Sequence, residues 1–260
     1  MATEGIMIVT GGSRGIGAGI ARLAGQKGYD VCVNYTAAAD RAEAVAQEVR
    51  GHGVRAIAVK ANVAVPGDVE NLFAGTDRQL GPVDVLVNNA AISIETPIGD
   101  QDPEVMRRII ETNLLGPAMT CQQAIRRMST RRGGKGGVII NISSISGLYG
   151  GLPGDVIYAG TKGGLDSFTI GLAKEIAPDG IRVVGIRPGL IRTEMWDSDT
   201  GMGQDAVVEM GKRAVPLGRI GEVEDIANAV VWMASPEASY VSGTVLNVSG
   251  GRETFVRGAG

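Results

Sequence analysis

The chain alternates between short, almost wholly apolar runs and longer stretches with a helical repeat of hydrophobic positions. Residues 6–10, 31–35, 56–59, 83–87, 138–142, 181–186 and 244–248 are rich in Val and Ile, as expected of strands covered on both faces of a parallel sheet. Between them, residues 17–27, 41–50, 66–79, 103–128, 156–177 and 222–234 read as helices, several with Pro or an acidic residue near the first turn. This alternation predicts an α/β fold: a single Rossmann-type, doubly wound parallel sheet of about seven strands flanked by helices. No Pro/Ser-rich linker, charge block or low-complexity stretch interrupts residues 1–260, so one domain is expected. Ligands bind such sheets beyond the C-terminal ends of the strands, and chemistry is sought directly after each one.

After the first strand comes Thr10-Gly11-Gly12-Ser13-Arg14-Gly15-Ile16-Gly17. Its glycines follow G-x-x-x-G-x-G, a turn that brings backbone N–H groups and a helix N-terminus to a pyrophosphate. Gly11, Ser13, Arg14, Gly15, Ile16 and Gly17 are therefore expected to bind a dinucleotide; a Gly-rich turn without ligand is the plainer alternative. The second strand ends Val33-Asn34-Tyr35-Thr36, with Asp30 before it and Asp40 in the next helix. No acidic residue stands where one would hold a ribose 2′-hydroxyl. Asn34 and Thr36, with Arg14, suit a 2′-phosphate instead, and Tyr35 between them is expected among the cofactor contacts. NADP(H) is thus preferred, with NAD(H) as the alternative. Asn62 and Val63 after the third strand, and Asn89, Ala90 and Ala91 after the fourth, suit an adenine edge and a ribose or serve as local turn residues.

Bulk composition narrows the partners. A net charge of −3 gives no nucleic-acid footprint. No apolar run reaches about 18 residues, so no membrane span is expected, and the chain enters its first strand without a leader pattern. Cys32 and Cys121 each lie inside an apolar segment and read as structural thiols suited to a reducing cytoplasm. The single histidine, His52, sits in the turn Gly51-His52-Gly53, and no metal site is expected.

The run Tyr158-Ala159-Gly160-Thr161-Lys162 places a phenol and an ammonium four apart on one helix face. A neighbouring ammonium favours phenolate and lowers the pKa of the phenol, which makes the pair a proton-transfer device. Taken in order with Thr10–Gly17, Asn88-Asn89-Ala90-Ala91, Asn113-Leu114-Leu115-Gly116, Ser143-Ser144-Ile145-Ser146-Gly147 and Arg187-Pro188-Gly189, it resembles the short-chain dehydrogenase/reductase family over essentially the whole chain.

The resemblance implies an NAD(P)-dependent oxidoreductase with a tetrad of Asn113, Ser144, Tyr158 and Lys162. Ser144, three residues before Gly147, would hold the substrate carbonyl, in preference to Ser143 or Ser146. Tyr158 would pass the proton, Lys162 would bind the nicotinamide ribose and keep the phenol pKa down, and Asn113 would anchor a water through its helix backbone. Pro188, Gly189, Ile191 and Thr193 would seat the nicotinamide. Asn62 departs from the family's usual Asp, Ala91 from its usual Gly, and the loop near residues 152–157 is one residue longer than in many members.

Residues 194–215 lack clean periodicity and read as a substrate-covering loop, with Met195, Trp196 and Met202 as pocket walls; ordinary surface helices are the alternative. In overall look the chain is most similar to bacterial 3-oxoacyl-carrier-protein reductases. The basic cluster Arg126, Arg127, Arg131, Arg132 and Lys135 would dock an acidic carrier or simply complement a helix dipole, and Asp179 counts against a carrier. A sugar, polyol or small-ketone dehydrogenase is the rival reading, and a catalytically inactive NADP-sensing protein a remote one. The family also implies a homotetramer, with helices 103–128 and 156–177 at one interface and the tail 252–260 reaching a neighbour.

Overall fold

The computed structural model describes residues 4–193 and 204–253. Seven parallel strands, β1 (Gly5–Val9), β2 (Tyr29–Tyr35), β3 (Ala56–Lys60), β4 (Val85–Asn88), β5 (Gly137–Ile142), β6 (Ile181–Pro188) and β7 (Val245–Val248), form one sheet in the order β3-β2-β1-β4-β5-β6-β7. The strand ends shift by a residue or two from the sequence reading, and all seven are present. The helices are α1 (Gly15–Gln26), α2 (Ala39–Arg50), α3 (Pro66–Gln79), α4 (Pro103–Ile110), α5 (Gly116–Met128), α6 (Ser146–Tyr149), α7 (Val156–Ile176), α8 (Gln204–Ala214) and α9 (Val223–Ala234).

Side chains alternate across each strand and so create two cores. Met7 and Val9 of β1 join Ile20 of α1, Val45 of α2 and Val230 of α9 on one face. Ile6 and Ile8 join Phe73 of α3, Ala124 of α5 and Ile176 of α7 on the other. The order of connection reverses at β1, which pairs with both β2 and β4. The crevice between the C-terminal ends of β1 and β4 is where such sheets bind ligands.

The helix expected over residues 103–128 is interrupted. Glu111–Leu115 form a π turn between α4 and α5, closed by Gly116 N–H donating to the Glu111 carbonyl. Pro117 explains it. A proline offers no N–H to the carbonyl four residues back, here Asn113, and its ring crowds that carbonyl. Residues 204–214, read as part of an irregular loop, instead form α8, with Asp205 in its first turn and Lys212 and Arg213 in its last. Val207 is buried. Met195, Trp196 and Met202 lie outside the described residues.

A buried polar ladder crosses the middle of the sheet beneath the crevice. The Thr120 hydroxyl of α5 donates to Asn88 Oδ1 at 2.6 Å, Asn88 Nδ2 donates to Asn141 Oδ1 at 2.9 Å, and Asn141 Nδ2 donates to the Thr169 hydroxyl of α7 at 2.8 Å. All four residues are at most 3% exposed, so each lost partner leaves a polar atom without water. Asn88→Ala is expected to cost about 1–3 kcal/mol, read as a lower urea midpoint; an unchanged midpoint would show that the ladder is dispensable.

Candidate active site

The glycine turn after β1 is shaped by close backbone approaches. Gly11 and Gly15 adopt φ of +62° and +52°, a region favourable to glycine. A Cβ on Gly17 would fall 2.4 Å from the Gly11 carbonyl oxygen and 2.5 Å from Asn89 Nδ2. The turn leads into α1, whose N-terminus has no side-chain cap and no acidic residue in its first turn. Its unsatisfied N–H groups and dipole suit a pyrophosphate. Thr10, whose hydroxyl the sequence reading gave no role, and Asn89 and Ala90, expected there as cofactor contacts, hold this turn against β4. The Thr10 hydroxyl accepts from the Asn89 and Ala90 N–H groups at 2.9 and 3.0 Å. Asn89 Nδ2 donates to the Thr10 carbonyl at 2.9 Å.

Asn34 corrects the expectation that its carboxamide meets a phosphate. It is 1% exposed, its Oδ1 accepts from Gly11 N–H at 3.2 Å, and its Nδ2 donates to the Ala61 carbonyl at 2.9 Å. It shapes the turn. Thr36 and Arg14 are exposed and Tyr35 is half-buried. Asn62 Oδ1 accepts from Ala64 N–H at 3.0 Å, while Val63 is buried against Gly116. Ala90 is half-buried and Ala91 exposed.

At the far side of the crevice, residues 188–193 return to the glycine turn. Gly189 N–H donates to the Val248 carbonyl at 3.0 Å, buried Ile191 bridges to Gly221, and the Thr193 side chain lies 3.5 Å from where a Cβ on Gly15 would stand. Ser13 and Ile16 are half-buried on the turn itself.

The four residues of the expected tetrad converge behind β4 and β5. Asn113 lies in the π turn, 0% exposed. Its carboxamide both donates to the Ile92 carbonyl (2.8 Å) and accepts from Ile92 N–H (2.9 Å). It also donates to the Thr161 hydroxyl at 3.3 Å, which in turn donates to the Tyr158 carbonyl at 2.6 Å. Lys162, 3% exposed, donates its ammonium to the Ile142 carbonyl at 2.8 Å and sits 5.5 Å from the centre of the Tyr158 ring. Ser144 Oγ accepts from Ser146 N–H at 3.1 Å. The Ser143 hydroxyl donates to the Lys162 carbonyl at 3.1 Å and pins α7 to β5. The longer loop before α7 is braced by Ser93 Oγ donating to Asp155 Oδ1 at 2.6 Å.

The electrostatics differ from the sequence reading in one respect. The Tyr158 pKa is pushed up to about 12 by burial, with a Ser144 hydrogen bond pulling it down and Asp155 and Tyr149 opposing the phenolate. Lys162 is brought down to about 8 by burial, with Asp166 resisting. Lys162 does not hold the phenol low in this arrangement. Its ammonium is bound to a carbonyl and lies against the ring, so desolvation decides. At neutral pH the site presents a neutral phenol beside an ammonium.

Comparisons with known proteins match the fold. Residues 11–253 match the family described as enoyl-(acyl carrier protein) reductase. The chain is 38% identical over 244 residues to the 3-oxoacyl-(acyl-carrier-protein) reductase FabG of Staphylococcus epidermidis, covering 94% of this chain and 97% of that one. Among solved structures, it is similar to a doubly substituted Serratia marcescens short-chain dehydrogenase/reductase, with a TM-score of 0.87 and 32% identity over 97% of this chain and 99% of that one. It is also similar to a blue fluorescent protein from a metagenomic library in complex with NADPH, with a TM-score of 0.86 and 36% identity over 97% and 99% of the two chains.

The approach of α6 to α7 depends on Gly147. A Cβ there would stand 2.8 Å from Gly163 N and 3.2 Å from Asp166 Oδ2. Gly147→Ala is expected to destabilise the fold by about 1–3 kcal/mol through overpacking. Gly171→Ala, on exposed α7 surface where a Cβ meets nothing, is expected to stabilise it by about 0.5–1 kcal/mol. Thermal unfolding of the two variants gives shifts of opposite sign if the packing is as described.

Proposed function

The chain belongs to the short-chain dehydrogenase/reductase family, and on that premise we propose that it interconverts a ketone and a secondary alcohol with NADP(H), Tyr158 acting as the acid–base. The observation that carries this reading is the half-buried Tyr158 phenol, close enough to Ser144 for that hydroxyl to lower its pKa and one helix turn from the Lys162 ammonium, which lies 5.5 Å from the ring centre. Nicotinamide, when bound, supplies the hydride, and the protein supplies orientation and electrostatics. Ser144 would hold the carbonyl oxygen. Tyr158 would donate its proton as that oxygen gains charge, and Lys162 would offset the phenolate left behind. Asn113 would position Thr161 and the backbone of α7 under both.

Three features favour NADP(H). The end of β2 carries no acidic side chain, Thr36 and Arg14 are exposed beside the turn, and one relative of similar fold is an NADPH complex. A guanidinium is well matched to a 2′-phosphate.

The substrate reading is 3-oxoacyl reductase-like, supported by the likeness to FabG. A free sugar, polyol or small ketone is the second reading, and the basic cluster favours it. Arg127 is paired with Asp77 at 2.8 Å and Arg131 with Asp179 at 3.3 Å, which leaves less charge for an acidic carrier. We further propose a homotetramer: Ile110, Leu115, Val156 and Ile170 are exposed on α4, the π turn and α7, and apolar positions of this kind suit burial between subunits. No helix among the described residues is long and apolar enough to cross a membrane. The free thiols Cys32 and Cys121, their pKa pushed up to about 12 by burial, suit a reducing cytoplasm.

The test is steady-state turnover across a panel of ketones, sugars and acyl thioesters with NADPH and NADH. Tyr158→Phe is expected to lower kcat by about 10²–10⁴-fold while still binding NADPH. Retained turnover would overturn the acid–base assignment. NADPH is expected to exceed NADH in kcat/KM by about tenfold or more, the worth of one charge-assisted hydrogen bond. Arg14→Ala is expected to bring the two cofactors together, and an unchanged ratio would remove Arg14 from the phosphate site.

A further inference from the structure

Beneath the acid–base pair lies a carboxylate that no motif of the chain announces. Asp166 stands one turn beyond Lys162 on the buried face of α7 and is 6% exposed. Its Oδ2 accepts from Arg187 Nε at 2.8 Å, while its Oδ1 is buried without a hydrogen-bond partner. Arg187, near the C-terminal end of β6, also donates to the Val245 carbonyl at 3.3 Å and to Asn247 Oδ1 at 3.1 Å. Pro188 and Gly189 follow it directly in the chain. The pair therefore ties the helix that carries Tyr158 and Lys162 to the strand that leads into residues 188–193.

A buried ion pair is weak evidence of stability, because desolvation offsets the attraction. A carboxylate oxygen left without a hydrogen bond is harder still to account for by packing alone. The arrangement becomes intelligible when Lys162 is counted. Two cations flank a single carboxylate: Arg187, hydrogen-bonded to it, and Lys162, one helix turn away on the same buried face with its ammonium on the Ile142 carbonyl. The other groups about Lys162 are the Tyr158 ring on α7, the Ile142 carbonyl of β5, the neutral Asn113 amide of the π turn, and, nearer the phenol, Tyr149 of α6 and Asp155. Among these described neighbours, Asp166 is the one that favours the ammonium.

We propose that Asp166, held in place by Arg187, is a positioning residue for Lys162: it keeps the buried amine charged and in register with Tyr158, and it couples α7 to the segment 188–193. This rests on the acid–base reading given above. The sign of its effect follows from the groups involved. Reduction requires a protonated Tyr158 and a charged Lys162. The phenol, at about 12, stays protonated through the working range, so the rate falls as pH rises through the Lys162 value of about 8.

The experiment is the pH profile of kcat/KM in the reductive direction, with NADPH and the ketone turned over best in the panel. Asp166→Asn is expected to move the alkaline limb down by about one pH unit, and Asp166→Glu to restore most of it. Arg187→Gln removes a cation from the same carboxylate and is expected to move the limb up. A purely structural pair would lower the plateau in both variants and move neither limb, which would overturn the proposal, as would a downward shift in Arg187→Gln. If Asp166→Asn does not fold, Arg187→Gln decides alone: an unmoved or lowered limb overturns the proposal. The titration of Lys162 followed by NMR on labelled lysine side chains moves in the same directions whatever the substrate. Loss of turnover in Tyr158→Phe with an unmoved Asp166→Asn limb defeats this inference alone. Full turnover in Tyr158→Phe defeats the acid–base reading and this inference with it.

Discussion

An ammonium taken out of water, with the Ile142 carbonyl at 2.8 Å as its acceptor, is the constraint on which the rest of the site depends. An uncompensated buried cation is costly, so α7 must lie close on β5 for the carbonyl to reach it. That contact is secured from several sides. The Ser143 hydroxyl bonds the Lys162 carbonyl. Asn141 bonds Thr169 two turns further along the helix. Gly147 lets the backbone of α6 come against Gly163 where a side chain would clash. The motif around Ser144 thus has two jobs: it supplies a hydroxyl near the phenol and clears the space that lets the lysine be buried.

Proline placement gives the second half of the geometry. Pro117 removes the N–H that would close the helical bond to the Asn113 carbonyl, and the chain answers with a π turn. The turn puts the Asn113 carboxamide on Ile92 and on Thr161, so one residue fixes both the loop after β4 and the first turns of α7. A regular helix over the same residues would rotate that side chain away. The crevice at β1 and β4 is closed by equally local means, through the Thr10 hydroxyl on one side and Thr193 on the other.

What was legible in the chain follows from distance along it. The glycine turn and the Tyr158–Lys162 spacing are local patterns with a single geometric outcome, and the sheet is read from seven apolar runs. The π turn was missed, because the repeat suggests one continuous helix over residues 103–128; Pro117 within that repeat is the signal that could have found it. The role of Asn34 was not, because a residue at the end of β2 can face the crevice or turn back. Only the positions of the Gly11 N–H and the Ala61 carbonyl decide between them. Nor was the meeting of Asp166 and Arg187, charges 21 residues apart on a helix and a strand. The visible clue was an arginine inside a run of buried apolar residues. The irregular appearance of residues 204–214 concealed α8 because Gly and Met interrupt its periodicity, while its terminal charges fit a helix well.

The two pKa displacements point the same way chemically. Burial favours the neutral form of each group, so it raises the phenol and lowers the amine. At neutral pH this leaves a tyrosine that keeps its proton and a lysine that is charged but close to losing it. Such a pair suits the proposed role of giving a proton to an oxygen that is gaining negative charge. Oxidation asks for the opposite start, a phenolate, which the Asp155 carboxylate resists as well. On the proposed reading, charge developing on a substrate oxygen beside Tyr158 would supply the pull that the resting phenol lacks, and the nearby ammonium would offset the phenolate left behind. The same burial that makes Tyr158 a reluctant acid in isolation would, on that reading, confine its proton transfer to the moment when an alkoxide forms beside it.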